Sequence, residues 1–369
     1  MTIIYVGMDV HKDSFSLCCF NPAQNQFFGE TKMTADHKQI VKYLHNINEK
    51  HGGQLKFRLC YEAGCLGYVL YHRLIDEGFD CSIVAPTTIL KGKKRVKTDR
   101  LDARSLAQNL AFGTCSTIAI PNAADVQIRE FIRMRDDHQR ELKRIKQETL
   151  AFLLRNGYVT DSTPWTIKHM SWMRSLKLAG ILQKVLDAYL ESYQTLSERI
   201  ASMDAEIETI SKSSAYQERV GHLRCFKGIE TLTAMSLVTE IGDFHRFPKA
   251  KNLMSYLGLV PGEDSSSERI RHLPLTKAGN THVRRLLIEA AQSLVRGQVG
   301  SKSKRLKSRQ AGQPEKVIRY ADHGIIRLQK RYRQMIARGV RHNAAVAAVA
   351  RELAGFIWGM ETNNIAGRV

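Results

Sequence analysis

Ile3-Ile4-Tyr5-Val6-Gly7-Met8-Asp9-Val10 is an apolar, β-branched run that breaks at a charged residue, and it opens a succession of strand-like and helix-like segments that restricts the fold more than any other feature. Ser14 to Phe20 and Gln26 to Thr31 are two further short strand candidates separated by the turn Asn21-Pro22. A helical pattern then runs from about Asp36 to Glu49, a strand from Leu55 to Tyr61, a helix from about Leu66 to Glu77, a strand from Cys81 to Val84 and a helix from about Asp99 to Leu110. The order βββαβαβα, a meander with α/β crossovers after it, predicts a mixed sheet of the ribonuclease-H type.

Beyond this α/β segment the pattern changes. From about Asp125 to Asn156 and from Ile181 to Ser211, apolar residues recur at three- and four-residue spacing in charged stretches: Ile128, Phe131 and Ile132, then Leu186, Tyr189, Leu190, Tyr193, Leu196 and Ile200. These predict two long helices paired antiparallel as a coiled-coil-like hairpin. Asn156 to Met173, with Pro164, Trp165 and Trp172, breaks the pattern and is read as the connecting tip. From Leu223 a third, mostly helical region is punctuated by Gly228, Gly242, Gly258 and Pro261. Ala344 to Trp358 reads as a buried helix without a chemical role. The expected division is 1–122, 123–215 and 216–369.

Composition narrows the function classes. The 369 residues carry 56 Lys+Arg against 36 Asp+Glu, a formal charge of +20, so a polyanion is the natural partner. No run approaches the roughly 18 to 20 apolar residues of a membrane span, and the N-terminus lacks the pattern of a secretory signal, so a cytoplasmic location is expected. The seven cysteines (Cys18, Cys19, Cys60, Cys65, Cys81, Cys115, Cys225) show no C-x-x-C spacing and are read as reduced core residues.

Four carboxylates fall where such a sheet gathers ligands. Asp9 closes the first strand, Glu62 follows the strand ending at Tyr61, and Asp99 and Asp102 start a helix three residues apart, on one face. Singly, each has an ordinary role: a strand end, a lysine partner, a helix cap, a first-turn acid. Together they suit two Mg²⁺ ions about 4 Å apart, held by carboxylate oxygens. Just before them, Lys91-Gly92-Lys93-Lys94-Arg95-Val96-Lys97 reads as a loop whose Lys93, Lys94, Arg95 and Lys97 clamp a phosphate backbone.

Val6-Gly7-Met8-Asp9-Val10-His11-Lys12, Tyr61-Glu62-Ala63-Gly64 and Lys97-Thr98-Asp99-Arg100-Leu101-Asp102-Ala103, in that order, resemble the DEDD transposases, the family of Piv-type DNA invertases and bridge-RNA-guided insertion-sequence recombinases. Further on, Gly228-Ile229 is similar to that family's helix-hairpin-helix-like segment. Tyr256-Leu257-Gly258-Leu259-Val260-Pro261 then leads through Ser265-Ser266-Ser267 to Thr276-Lys277-Ala278-Gly279-Asn280. The resemblance implies a RuvC-like domain, a coiled-coil insertion and a C-terminal transposase domain carrying a serine nucleophile. Family members commonly have Ser-Ser-Gly at this point. Here Ser267 replaces the glycine, and ungapped alignment selects Ser266, a one-residue gap Ser265.

The resemblance further implies a phosphoserine link to DNA, metals held by carboxylates of another subunit, both DNA and a structured guide RNA as partners, a dimer or tetramer, and a nucleoid-associated, cytoplasmic enzyme. Arg269, Arg271, His272 and Lys277 are candidates to neutralise the transition state. Arg284, Arg285, Lys302, Lys304 and Arg305, with the basic stretch from Arg327 to Arg338 and with Tyr320 and Tyr332, are candidates to lie along phosphates. No G-x-x-x-x-G-K-[ST] is present, and strand rejoining through a covalent link needs no nucleotide. Two other readings use the same residues differently: a junction-selective nuclease with metal-activated water, and a non-catalytic nucleic-acid-binding protein.

Overall fold

The N-terminal apolar run is β1 (Thr2–Val10), the centre of a five-stranded sheet. With β2 (Ser14–Asn21), β3 (Gln26–Thr34), β4 (Leu55–Glu62) and β5 (Asp80–Val84) it takes the order β3-β2-β1-β4-β5. The meander β1-β2-β3 is antiparallel, whereas β4 and β5 run parallel to β1. α1 (His37–Lys50) and α2 (Val69–Asp76) lie between strands and α3 (Asp99–Ala111) follows β5, so the βββαβαβα order of the sequence is the order of the fold. The computed structural model describes residues 2–64, 66–85, 98–264 and 272–365.

Alternation along the strands sorts the two faces. Ile4, Val6 and Met8 of β1, Phe15, Leu17 and Cys19 of β2, and Leu59 and Tyr61 of β4 pack with Ile40 and Leu44 of α1 and Leu70 and Leu74 of α2. The opposite face receives α3. There Gly7 admits the helix backbone: a Cβ on Gly7 would stand 2.1 Å from the Ala103 carbonyl oxygen and 2.4 Å from the Ala107 nitrogen. The Cys60 thiol donates to the Leu106 carbonyl at 3.5 Å on the same face. Asp36 caps α1 and Thr98 caps α3, each accepting from a first-turn N–H.

Contacts divide the chain into two units, Met1–Ile120 and Pro121–Val369. The second begins with α4 (Ala123–Arg155) and α6 (Ile181–Ser211). Arg135 of α4 meets Asp204 of α6 at one end and Phe152 meets Tyr189 at the other, so the two run antiparallel. The tip departs from the expected irregular connection: Thr166 caps a short helix, α5 (Ile167–Ser175), which packs Met173 against Phe152, Leu153 and Leu186. Nine residues flanked by Pro164 give too few turns for periodicity to register.

The rest of the second unit is α7 (Gln217–Leu223), α8 (Thr231–Ile241), α9 (Ala250–Tyr256), the hairpin β6 (Pro261–Glu263) and β7 (His272–Leu275), then α10 (Thr281–Leu294), α11 (Lys304–Gln310), α12 (Glu315–Ala337) and α13 (His342–Glu361). Its core gathers α8, α10, α12 and the alanine-rich α13 around Phe226, Tyr320 and Phe356. Tyr320 is therefore a core residue, 2% exposed, and not the phosphate-facing aromatic its spacing suggested. The Cys18, Cys19, Cys60, Cys81 and Cys225 thiols are free and buried, and that of Cys115 is free and half-buried. Cys65 lies outside the described residues. Among the described residues no helix is long and apolar enough to cross a membrane.

Candidate active site

Gly7 and Asp9 share the α3 face of β1. Asp9 stands opposite the buried Ser16 of β2, and Met8 pairs with Tyr61 of β4, so Glu62 comes alongside Asp9 at the carboxyl edge of two parallel strands. The close contact at Gly7 lets α3 lie along β1 with its N-terminus at this edge. Glu30 of β3 then pairs with both Arg100 and Arg104 of α3, and the Arg104 guanidinium covers the Phe27 ring at 5.2 Å. The helix start is thereby held over the strand end.

Three side chains meet there. His11 Nε2 is 3.1 Å from Asp9 Oδ2 and 4.0 Å from Asp99 Oδ1, and one ligand atom from each of Asp9, His11 and Asp99 lies within 4.8 Å of the others. Lys32 of β3 donates to Asp99 Oδ2 at 2.9 Å. Burial pushes the Asp9 carboxyl up, His11 pulls it down, and the charges of Asp99 and Asp102 push it up again. The Lys32 ammonium holds Asp99 below the usual range. Anionic groups crowded at a half-open sheet edge, balanced by local cations, make a place where a divalent cation would be favoured.

The edge thus gathers Asp9 and Asp99 with His11, while Glu62 and Asp102 border this group without belonging to its three-residue core. Both make interactions of their own. His11 and Lys32 were not singled out from sequence. His11 carried a signal, two residues past Asp9 on the same strand exit; Lys32 carried none, because only the sheet brings β3 to α3.

In the second unit, two glycines permit close backbone packing at the foot of the β6–β7 hairpin. A Cβ on Gly279, whose φ is +71°, would stand 1.8 Å from the Tyr256 carbonyl oxygen, and one on Gly258 would stand 2.3 Å from that of Ala278. Arg284 Nη1 donates to the Leu257 and Ala278 carbonyls at 2.9 and 2.8 Å. Arg285 pairs with Asp136 and Glu289, Lys302 with Asp322, and Arg305 with Glu230. Lys304 and Arg305 line a cavity of about 740 Å³ together with Arg135, Arg224 and Arg309. Lys277 adopts a positive φ of 53° just before the α10 cap. Ser265, Ser266, Ser267, Arg269 and Arg271 lie outside the described residues, as do Lys93, Lys94, Arg95 and Lys97.

Comparison with known proteins matches residues 6–156 to a family model described as transposase of the DEDD, IS110 type, and residues 221–306 to one described as the transposase IS116/IS110/IS902 family. The transposase for insertion sequence element IS1533 of Leptospira borgpetersenii is 31% identical over 346 residues, covering 90% of this chain and 96% of that protein. The chain belongs to the IS110 family of DEDD transposases. A transposase-named protein of Sinorhizobium fredii, y4qE, is 32% identical over 359 residues, 96% of this chain and 87% of that one. The pilin gene-inverting protein of Moraxella bovis is 27% identical over 276 residues, 72% of this chain and 74% of that one.

This DEDD transposase is accordingly a DNA recombinase, with DNA as its substrate. The first matched segment, 6–156, contains Asp9, Glu62, Asp99 and Asp102. The second, 221–306, spans Gly228-Ile229 and the three-serine segment. The mixed α/β N-terminal unit and the mostly helical remainder are the architecture anticipated for it.

Proposed function

We propose that this transposase cuts and rejoins DNA by metal-dependent phosphoryl transfer, with Asp9, Glu62, Asp99 and Asp102 as the metal-holding carboxylates of a RuvC-like domain over 1–122. The helical hairpin, 123–215, is the coiled-coil insertion, and 216–369 the transposase domain. The observation that carries this reading is the convergence of Asp9, His11 and Asp99 at the carboxyl edge of β1. Hard carboxylate oxygens at an accessible edge suit Mg²⁺, and four acids leave room for two ions. Bound there, divalent cations supply charge stabilisation at the attacking and leaving oxygens.

The chain's own residues supply the rest. Ser266, with Ser265 as the neighbouring candidate, attacks the scissile phosphodiester: the Oγ–P bond forms, the P–O bond to the leaving strand breaks, and the released strand ends in a hydroxyl. The phosphoserine bond keeps the energy of the broken linkage, so a second strand's hydroxyl can displace the serine without a nucleotide. Arg269, Arg271 and Lys277 neutralise the transition state. Lys93, Lys94, Arg95 and Lys97 clamp DNA beside the acids, and Arg284, Arg285, Lys302, Lys304 and Arg305 form the remaining nucleic-acid surface. A structured guide (bridge) RNA selects donor and target, and a dimer or tetramer supplies the active sites that two duplexes require. The +20 charge and the absence of long apolar helices among the described residues support a cytoplasmic, nucleoid-associated enzyme.

The test is a nicked suicide duplex carrying the element's terminus, incubated with the full chain and Mg²⁺. Cleavage lost in Asp9→Asn and Glu62→Gln, together with a Ser266–DNA adduct identified by mass spectrometry, is expected. Cleavage that survives Ser266→Ala and Ser265→Ala would convert the reading to a water-using nuclease. Cleavage indifferent to both acids would leave only nucleic-acid binding.

A further inference from the structure

Glu240, at the end of α8, is a buried carboxylate remote in sequence from the acidic edge, and its side chain is 2% exposed. It accepts from Arg133 Nε at 2.8 Å and Nη2 at 3.0 Å, and from Asn280 Nδ2 at 2.8 Å. Asn280 is also the N-cap of α10, its Oδ1 accepting from the Val283 N–H at 3.0 Å. The two bonds fix the amide's orientation. Reversed, it would turn its NH₂ toward a backbone donor and its oxygen toward a carboxylate.

A second tie runs beside the first. Asp136, one turn along α4 from Arg133, pairs with Arg285 and lies 3.5 Å from His282 Nδ1, both in the first turns of α10. With Arg284 reaching back to the Leu257 and Ala278 carbonyls, the segment that descends from β7 into α10 is held by α4, α8 and the end of α9. A buried ion pair seldom stabilises a fold more than well-packed apolar side chains would. What charged, bidentate hydrogen bonds add is direction.

We propose that Glu240 is a positioning residue of the recombinase: acting through Asn280, it fixes against α4 the stem of the β6–β7 hairpin, whose two strands flank the serine segment in sequence. This rests on the reading of Ser266 as nucleophile. A serine that must reach a scissile phosphorus in line is sensitive to small errors, since displacement by about 1 Å can lower a rate by about a hundredfold.

Asn280→Asp separates positioning from capping. Aspartate caps a helix as well as asparagine does, but it turns an acceptor toward the Glu240 carboxylate. The double variant Asn280→Asp/Glu240→Gln restores a donor–acceptor pair between positions 240 and 280 at unchanged net charge; it gives up the Arg133 Nη2 bond to the same atom and keeps the Arg133 Nε bond to the other. Full-length protein is assayed with Mg²⁺, the suicide duplex of the element's terminus and RNA transcribed from the element's non-coding flank. Maximal cleavage rate, half-saturating DNA concentration and melting temperature are measured. Asn280→Asp is expected to lose about tenfold or more in maximal rate with half-saturation held within about twofold, and the double variant to recover most of the rate.

If Asn280→Asp does not fold, Asn280→Ser, which keeps a capping oxygen without a second carboxylate, is assayed in its place with the same criteria. A wild-type maximal rate in the single variant overturns the proposal. So does a loss that follows the folded fraction and is not restored in the double variant. Ser266→Ala combined with Ser265→Ala is assayed in parallel: cleavage that persists there overturns the serine reading itself, whereas cleavage lost there but intact in Asn280→Asp overturns only the positioning role.

Discussion

Asp9 of the first unit and Glu240 of the second are acids with different fates. Each is a carboxylate at the end of a regular element. Glu240 is 2% exposed and its two oxygens take three donors, so its charge is consumed by the fold. Asp9 is 18% exposed, takes one histidine contact, and shares its surroundings with the charges of Asp99 and Asp102. Donor supply and access, rather than residue type, separate a structural tie from a candidate ligand.

The largest effect should come from Asp9. Asp9→Asn, or chelation of divalent ions, is expected to lower strand cleavage by about a thousandfold while the circular dichroism spectrum stays native. Near-normal cleavage would place Asp9 with Glu240 as structural. Conversely, Glu240→Ala leaves Arg133 and Asn280 without their acceptor and should lower unfolding free energy by about 3–5 kcal/mol in denaturant titration. A change under about 1 kcal/mol would mean that Arg133 and Asn280 find other partners.

Gly7→Ala tests whether close helix–strand contact builds the acidic edge. With a Cβ 2.1 Å from the Ala103 oxygen, α3 must shift, at a cost of about 1–3 kcal/mol or more, and cleavage should fall with it. A variant that melts like wild type and cleaves normally would show that α3 can move without disturbing Asp99.

The pH dependence is subtler. Asp9's folded pKa is raised, so protonation favours the folded state: that stabilisation is complete below the ordinary value of 3.8 and is lost as pH rises through the folded value. Metal-free Asp9→Asn should therefore melt slightly higher than wild type at neutral pH, and the difference should vanish in acid. Asp99, whose pKa is lowered by Lys32, has the opposite sign: its stabilisation is present above its unfolded pKa and is lost as pH falls through the folded one, so Asp99→Asn should melt slightly lower at neutral pH. Melting curves with and without Mg²⁺ read both, and a lower Asp9→Asn midpoint would refute the desolvation account. The smallest effect belongs to Arg319→Ala, which breaks an exposed i,i+4 pair with Glu315 and should change stability by only about 0.2–0.5 kcal/mol.

Much of the N-terminal unit was readable from local pattern. Strand and helix order follow from β-branched runs and a helical period, both carried by near neighbours. Asp9 and Asp99 came from strand-end and helix-start positions of the same kind. The tip helix α5 was missed because one short element surrounded by aromatics has no lasting period. Tyr320 was misread because a tyrosine among basic residues looks the same in sequence whether its ring faces solvent or, as here, packs on Phe226 and Phe356.

The sequence by itself determined the order of elements, the excess of positive charge and the family to which the chain belongs, because propensity, periodicity and motif spacing act over a few residues or along a line. Tertiary structure decided which carboxylates meet. The approach of α3 at Gly7, the reach of Lys32 to Asp99 and the closing of Arg133, Glu240 and Asn280 on one another join residues 40 to 107 positions apart. Such contacts depend on register and packing distance, which a one-dimensional pattern does not contain. At the acidic edge, strand ends and a helix start in the sequence pointed to four acids, and the fold grouped two of them with His11.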